Sequence, residues 1–339
     1  MKKLITYIPG FMLALLIAFF AKWIESLLPL PVVGAPVIAL FIGMAINQIA
    51  KPGKLIESGL KFTSKKILRL SIILLGASLS IGTILHVGQL SLIVMLFTLL
   101  TCFGGGYFVG KWLGLNWKLS NLISAGTGIC GGSAIAAVAP VIEAEDKDIA
   151  YAMSATFLFD MAMIVLFPIM GRLLGLSDMA YGLWAGTAVN DTSSVVAAGY
   201  AFSEAAGDFA TMVKLTRTLS IIPTVLIFSL IQARIKKDSD AQAPSGNESI
   251  KIQSLFPWFI LAFVGMSLIN SLGFISADVS TGLKTISKFL MVASLAAIGL
   301  NTNFNDMKKS GFNPMIHGFI ISALVVIVAL AVEVFMGLV

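Results

Sequence analysis

Eleven apolar stretches follow one another along the chain, at about 8–28, 31–50, 67–86, 90–110, 119–141, 149–175, 180–202, 211–233, 254–274, 285–301 and 314–338. Each approaches the ~17–25 residues that a helix needs to cross hydrocarbon. The pattern predicts an all-α membrane protein of about eleven transmembrane helices, with its termini on opposite faces. Polar or small residues interrupt the stretches 119–141, 180–202 and 285–301.

The sharpest interruption is Gly126-Thr127-Gly128-Ile129-Cys130-Gly131-Gly132-Ser133. Glycine costs roughly 1 kcal/mol relative to alanine inside a helix, so this density argues for a broken helix. Bared N–H and C=O groups survive in a bilayer only where protein or a water-filled cavity covers them. The half-helix termini then form an ion or substrate site at mid-depth. Close packing through small residues is the alternative.

Only 12% of the residues are charged and 58% are hydrophobic, which excludes an ordinary soluble domain. With the N-terminus in the cytoplasm, seventeen Lys and Arg fall inside: Lys2, Lys3, Lys51, Lys54, Lys61, Lys65, Lys66, Arg69, Lys111, Lys118, Arg172, Arg234, Lys236, Lys237, Lys251, Lys308 and Lys309. Six fall outside: Lys22, Lys147, Lys214, Arg217, Lys284 and Lys288. The bias follows the positive-inside rule and predicts a cytoplasmic N-terminus and an outside C-terminus. It also accounts for the net charge of +6 without nucleic acid. Cys102 and Cys130 both lie in apolar runs with no disulfide or metal spacing.

The chain reads as one polytopic domain, residues 1–339, with an extra N-terminal helix at 1–30. Residues 51–66 predict a basic interfacial helix or a solvated loop, and 236–252 a flexible cytoplasmic linker. Two repeat registers compete. Residues 126–139 align without gaps on 186–199, with Gly126/Gly186, Thr127/Thr187, Ser133/Ser193 and Ala137/Ala197 identical and Ile129/Val189 conservative. Alternatively, two sets of five helices, 31–178 and 179–339, form inverted repeats in which 119–141 and 285–301 are the broken members.

Ionisable residues at membrane depth cost at least ~2.5 kcal/mol, so each is a functional candidate. Asp160 and Asp191, with Asn190 beside the latter, are candidates for the coupling proton or cation; bonding free N–H groups at a helix break or pairing with a buried base is the alternative. Asn301, Thr302 and Asn303 at the end of the tenth stretch offer oxygen ligands for sodium or simply cap the helix. Lys214 and Arg217 share one face of the eighth stretch. Lys214 is expected to snorkel to the interface. Arg217 is expected to pair with Asp160 or Asp191, or to bind an anion. Pro223 predicts a kink. Candidate substrate contacts are Gly128, Cys130, Gly131, Gly132, Ser133, Thr192, Ser193 and Asn301.

The segments GTGICGGSAIAAVAP (126–140), GTAVNDTSSVVAAG (186–199) and LLGASLSIG (74–82) resemble the YeiH family of bacterial inner-membrane proteins, also designated sulfate exporters. The resemblance covers nearly the whole chain. It implies a multi-pass secondary transporter similar to the bile-acid/sodium symporter fold, with crossed broken helices and an anionic substrate. The family pattern has histidine before the second-box aspartate, where this chain has Asn190, which puts proton coupling through that position in doubt.

The function expected from these observations is export of a small oxyanion such as sulfate or sulfite, by alternating access coupled to a proton or sodium gradient. The expected partners are that anion, the coupling ion, lipid and, in a homodimer, a second copy; no cofactor is expected. An intramembrane hydrolase using Asp160 and Asp191, or Ser133 with His86 or His317, is the enzymatic alternative, and an anion channel is a third. No phosphate-binding loop motif is present, which argues against ATP-driven pumping.

Overall fold

A computed structural model describes residues 6–27, 35–50, 52–239, 258–302 and 311–339. The linker expectation for 236–252 falls almost wholly outside the described residues, and Asn303 lies outside them.

Backbone groups in hydrocarbon must be satisfied within their own segment, so the apolar stretches become helices. In chain order these are α1 (Ile8–Leu27), α2 (Ala35–Ile49), α3 (54–76), α4 (Ile81–Trp112), α5 (Trp117–Ala125), α6 (Gly132–Val138), α7 (Asp146–Leu173), α8 (Asp178–Ala188), α9 (Thr192–Phe202), α10 (Glu204–Thr218), α11 (Ile221–Ser239), α12 (Trp258–Ser271), α13 (Ala277–Asn301) and α14 (Phe312–Phe335). Among the described residues, six helical runs are long and apolar enough to cross a membrane: Ile8–Leu27, Ile81–Trp112, Lys147–Leu173, Glu204–Ile235, Ala277–Asn301 and Phe312–Phe335. Large apolar side chains on their outer faces, such as Phe19, Trp23, Leu96, Phe108 and Phe319, are exposed as a lipid-facing surface requires.

The fifth and seventh apolar stretches do not cross. They enter and turn back. A straight helix over 117–138 would separate its ends by about 30 Å. Instead Lys118 Nζ donates to the Glu143 carbonyl at 2.7 Å, and Asn116 Nδ2 donates to the Asp148 carboxylate at 3.1 Å. The first hairpin runs in through α5 and a π turn (Gly126–Cys130), reverses at Gly131 and returns through α6. The second runs in through α8, reverses at 189–191 and returns through α9. Its ends are joined by Ser203 Oγ donating to Asp178 Oδ1 at 2.6 Å, and its arms by the Tyr181 hydroxyl donating to the Ala198 carbonyl at 2.9 Å. The expectation of crossed broken helices is therefore corrected to two re-entrant hairpins. The 28-residue α7, about 42 Å long, joins the base of one hairpin to the base of the other, so they enter from opposite ends of the bundle.

Three smaller expectations also change. Residues 54–76 form one helical run through a π turn at Thr63–Ile67, so 54–66 begins a long helix and is no separate interfacial element. The chain then turns at 77–80, and Ser80 caps α4 by accepting the Thr83 N–H at 3.1 Å, so residues 81–86 belong to the following helix. The stretch 285–301 lies within the continuous α13, so the interruption expected there is absent. The kink expected at Pro223 is found just ahead of it, at Leu219–Ser220.

The helices pack as two groups. In one, α13 lies against α1, α2 and α3, with α12 on α3. Gly43 of α2 sits against the backbone of Ala296–Leu300, and Gly299 against that of Leu40–Met44, the close approach that small residues permit. The other group is α4, both hairpins, α7, α10, α11 and α14. The groups meet where α2 abuts α9, and ion pairs Lys284–Asp208 and Lys288–Glu204, both 2.6 Å, join them at the end where the second hairpin enters.

The hairpins make a sharp topological prediction. With the native Cys102 and Cys130 replaced by alanine, Lys111→Cys and Glu145→Cys will react with an impermeant thiol reagent from one face of the membrane. Leu174→Cys and Ala205→Cys will react only from the other. Eleven straight crossings would instead separate 111 from 145.

Candidate functional site

The two hairpin tips meet each other. Gly131 has φ +62°, and a Cβ built on it would lie 3.0 Å from Asp191 Cβ and 3.1 Å from Asp191 Oδ1. Only glycine adopts this backbone and leaves that space. In the gapless sixty-residue correspondence, Gly131 pairs with Asp191, so the matched boxes are the two tips.

Each tip bares one helix C-terminus and one helix N-terminus, with partial charges of opposite sign. The C-terminal carbonyls are met by cations. Arg217 Nε donates to the Gly128 carbonyl at 2.6 Å, and its terminal nitrogens to those of Thr127 at 2.6 Å and Val189 at 3.3 Å. Lys214 Nζ donates to Ile129 at 2.8 Å and to Val189 at 3.1 Å. The N-terminal amides of the second tip are met by carboxylates. Asp160 accepts the N–H of Asn190 at 2.9 Å on one oxygen and that of Asp191 at 3.0 Å on the other. Asp191 caps α9, its Oδ2 accepting the backbone N–H of Ser193 at 2.9 Å and the Ser193 hydroxyl as well. The clamps are exchanged: Asp160, on the helix after the first hairpin, holds the second tip. Lys214 and Arg217, on the helix after the second hairpin, hold the first and also reach Val189 of the second.

This corrects two expectations. Arg217 and Lys214 form no ion pair with Asp160 or Asp191 among the described residues, because backbone carbonyls take their hydrogen bonds. Nor does Lys214 snorkel; it is fully buried between the tips. The apolar stretch starting near Thr211 puts Lys214 close to its end, whereas α10 begins at Glu204 and carries Lys214 a further two turns inward.

The remaining candidates divide by accessibility. Gly128, Cys130, Gly131, Asn190 and Ser193 are buried behind the tips, while Gly132, Ser133, Asp191 and Thr192 keep accessible surface at them. Thr127 Oγ1 and Asn190 Oδ1 are buried with no hydrogen-bond partner. Thr127 was not among the sequence candidates; its identity with Thr187 was the available signal. Asn301 does not join the site: it ends α13, where Asn47 Nδ2 donates to the neighbouring Leu300 and Thr302 carbonyls at 2.8 Å. His317 lies against Ser120 Oγ (3.1 Å) and the Gly106 carbonyl (3.0 Å), and His86 is exposed on α4. No histidine engages Ser133, so the serine-hydrolase arrangement is not assembled. Asp160 and Asp191 each bond backbone amides rather than each other, unlike a carboxylate pair sharing one proton.

Asp160→Ala will strand two buried amides at about 1–3 kcal/mol each, lowering the thermal midpoint of the purified protein, with Asp160→Asn intermediate because it keeps one acceptor oxygen. Gly131→Ala will lower it too, as an alanine forced to positive φ costs about 1–3 kcal/mol before its Cβ meets Asp191. A midpoint unchanged in Gly131→Ala would contradict the tip-to-tip contact.

The sequence profile of the family described as conserved hypothetical protein 698 matches residues 9–318. A UPF0324 membrane protein of Clostridium tetani is 56% identical over 337 residues, covering 98% of both chains. UPF0324 membrane proteins of Streptococcus pyogenes serotype M6 and Streptococcus pneumoniae serotype 4 are 42% and 40% identical, covering 98% and 97% of both chains respectively. The resemblance noted from the two Gly-Thr boxes is to this same family, and the chain, a multi-pass helical membrane protein, belongs to it.

Proposed function

We propose that the chain is a secondary transporter of a small anion, working by alternating access. The observation that carries this reading is the meeting of two re-entrant hairpins from opposite ends. Non-helical backbone at membrane depth is tolerated where it lines a cavity or is covered by protein, and paired discontinuous elements at mid-depth are the form in which secondary transporters hold substrate. Hairpins from opposite faces supply two gates to one point, so moving either opens the site to one side only.

In this reading the substrate meets the tips at Gly132, Ser133 and Thr192, which offer hydroxyls and the first amides of a return arm that no earlier turn can accept. The fixed guanidinium of Arg217 behind the tips favours an anion, and the family's designation suggests an oxyanion such as sulfate or sulfite. Asp191 is the acid that solvent and the coupling ion reach, while Asp160 and Asn190 support it from behind. The chain crosses nine times, with each hairpin keeping it on one side. Relative to the eleven-crossing count, Lys147 and Arg172 exchange sides, so the seventeen-to-six bias of basic residues persists. It supports a cytoplasmic N-terminus in the bacterial cell membrane and a first hairpin entering from the cytoplasm.

Purified protein in liposomes tests this. Radiolabelled sulfite or sulfate will accumulate under an imposed proton or sodium gradient, and Asp191→Asn will abolish the gradient dependence. Accumulation untouched by Asp191→Asn would return Asp191 to a capping role. No flux of either anion under any gradient would remove the oxyanion reading.

A further inference from the structure

Lys214 touches both hairpins at once. Its ammonium donates to the Ile129 carbonyl at 2.8 Å on the first tip and to the Val189 carbonyl at 3.1 Å on the second. These residues pair with each other in the sixty-residue correspondence. Both end an in-going arm, so two helix C-termini converge on one buried positive group. Unwound carbonyls and half-helix C-termini are the groups with which discontinuous-helix transporters coordinate a sodium ion. Hard cations choose such oxygen ligands. Here the position is filled from within the chain. Arg217, one turn further on, takes the remaining carbonyls of Thr127 and Gly128.

Resting on the transporter reading and narrowing its coupling ion, we infer that the Lys214 ammonium is a tethered substitute for a coupling sodium ion, and that the ion exchanged during transport is a proton carried on Lys214. The Ile129 and Val189 carbonyls that would ligate sodium are taken by the ammonium. When one tip withdraws, the ammonium loses a carbonyl while the guanidinium of Arg217 remains beside it. It then gives up one proton to water through Asp191, the acid with accessible surface at the tips. The neutral amine regains a proton from the opposite side when that gate opens. The groups facing Lys214 are Arg217 on its own helix, Cys130 on the first hairpin, Asp191 on the second and Asp160 on α7. A lysine can make this exchange and an arginine cannot, because the guanidinium stays protonated throughout the working pH range.

Two experiments on the full chain test the inference, the first without any transport. The thermal midpoint of the purified wild type in detergent will be the same in sodium chloride and in choline chloride. Lys214→Ser will melt lower in choline and recover part of the loss in sodium, which can enter the vacated carbonyl site. A sodium-specific rise in the wild type would overturn the inference. In liposomes, Lys214→Arg keeps a cation between the tips. It will still exchange labelled sulfite for unlabelled sulfite without a gradient, but will lose accumulation driven by a pH gradient. Accumulation retained by Lys214→Arg, or a wild type driven by sodium alone, would also overturn it. Should the wild type move neither sulfite nor sulfate, the oxyanion reading fails, and the melting comparison still decides what occupies the carbonyl site.

Discussion

A backbone that stops being helical inside a membrane bares hydrogen-bonding groups where water is scarce, and the rest of this structure follows from how they are met. Two chain reversals at mid-depth expose four helix ends. The C-terminal ends receive Lys214 and Arg217, and the N-terminal end of the second return arm receives Asp160 with Asp191 as its cap. The sign of each side chain is the one that complements the helix end it meets. Four ionisable residues that would each be costly alone in hydrocarbon thereby become the partners the breaks require. Hydrogen bonds to charged groups, about 1.5–3 kcal/mol each, make them the strongest fixings available at that depth.

The exchange of clamps ties the hairpins into one device. Each tip is held by the helix that follows the other hairpin, so neither can move without disturbing a charged contact to its partner. Gly131 brings the tips within van der Waals reach, and Val189 gives its carbonyl to Lys214 and Arg217 together. Behind this centre the residues are buried, and at its surface Ser133 and Thr192 stand accessible. A rigid support with a small polar face is what a binding site needs, since binding groups must be positioned before the ligand arrives. Among the described residues, the second packing group, α1, α2, α3, α12 and α13, contributes no charged residue to the tips. Its tight α2–α13 contact suits a frame against which the hairpin group can shift.

Most of the membrane reading was legible in the sequence because hydropathy is a local property. The glycine cluster at 126–132 marked the first break, and Asn190-Asp191 marked the second. The match between them aligned the tips to the residue. The direction of the chain after each break was not legible. A span interrupted at its midpoint and a hairpin have the same hydropathy and the same glycines. The difference lies in contacts such as Lys118 with Glu143 and Asp178 with Ser203, which join residues twenty-five apart. Two reversals cancel in parity, so the charge bias agrees with the eleven-crossing count as well as with the nine crossings we propose.

The sequence by itself determined that this is an all-helical membrane protein, that its helices are interrupted in the two Gly-Thr boxes, and that Asp160, Asp191 and Arg217 are ionisable residues at depth. These follow from residue type and spacing, which act within a few helical turns. Only the tertiary structure decided that the breaks turn back and meet, that the cations serve carbonyls rather than the aspartates, and that Asn301 stands apart at the end of α13. Those outcomes depend on which helix end lies next to which charged side chain, a relation set by packing across the bundle and carried by no single stretch of the chain.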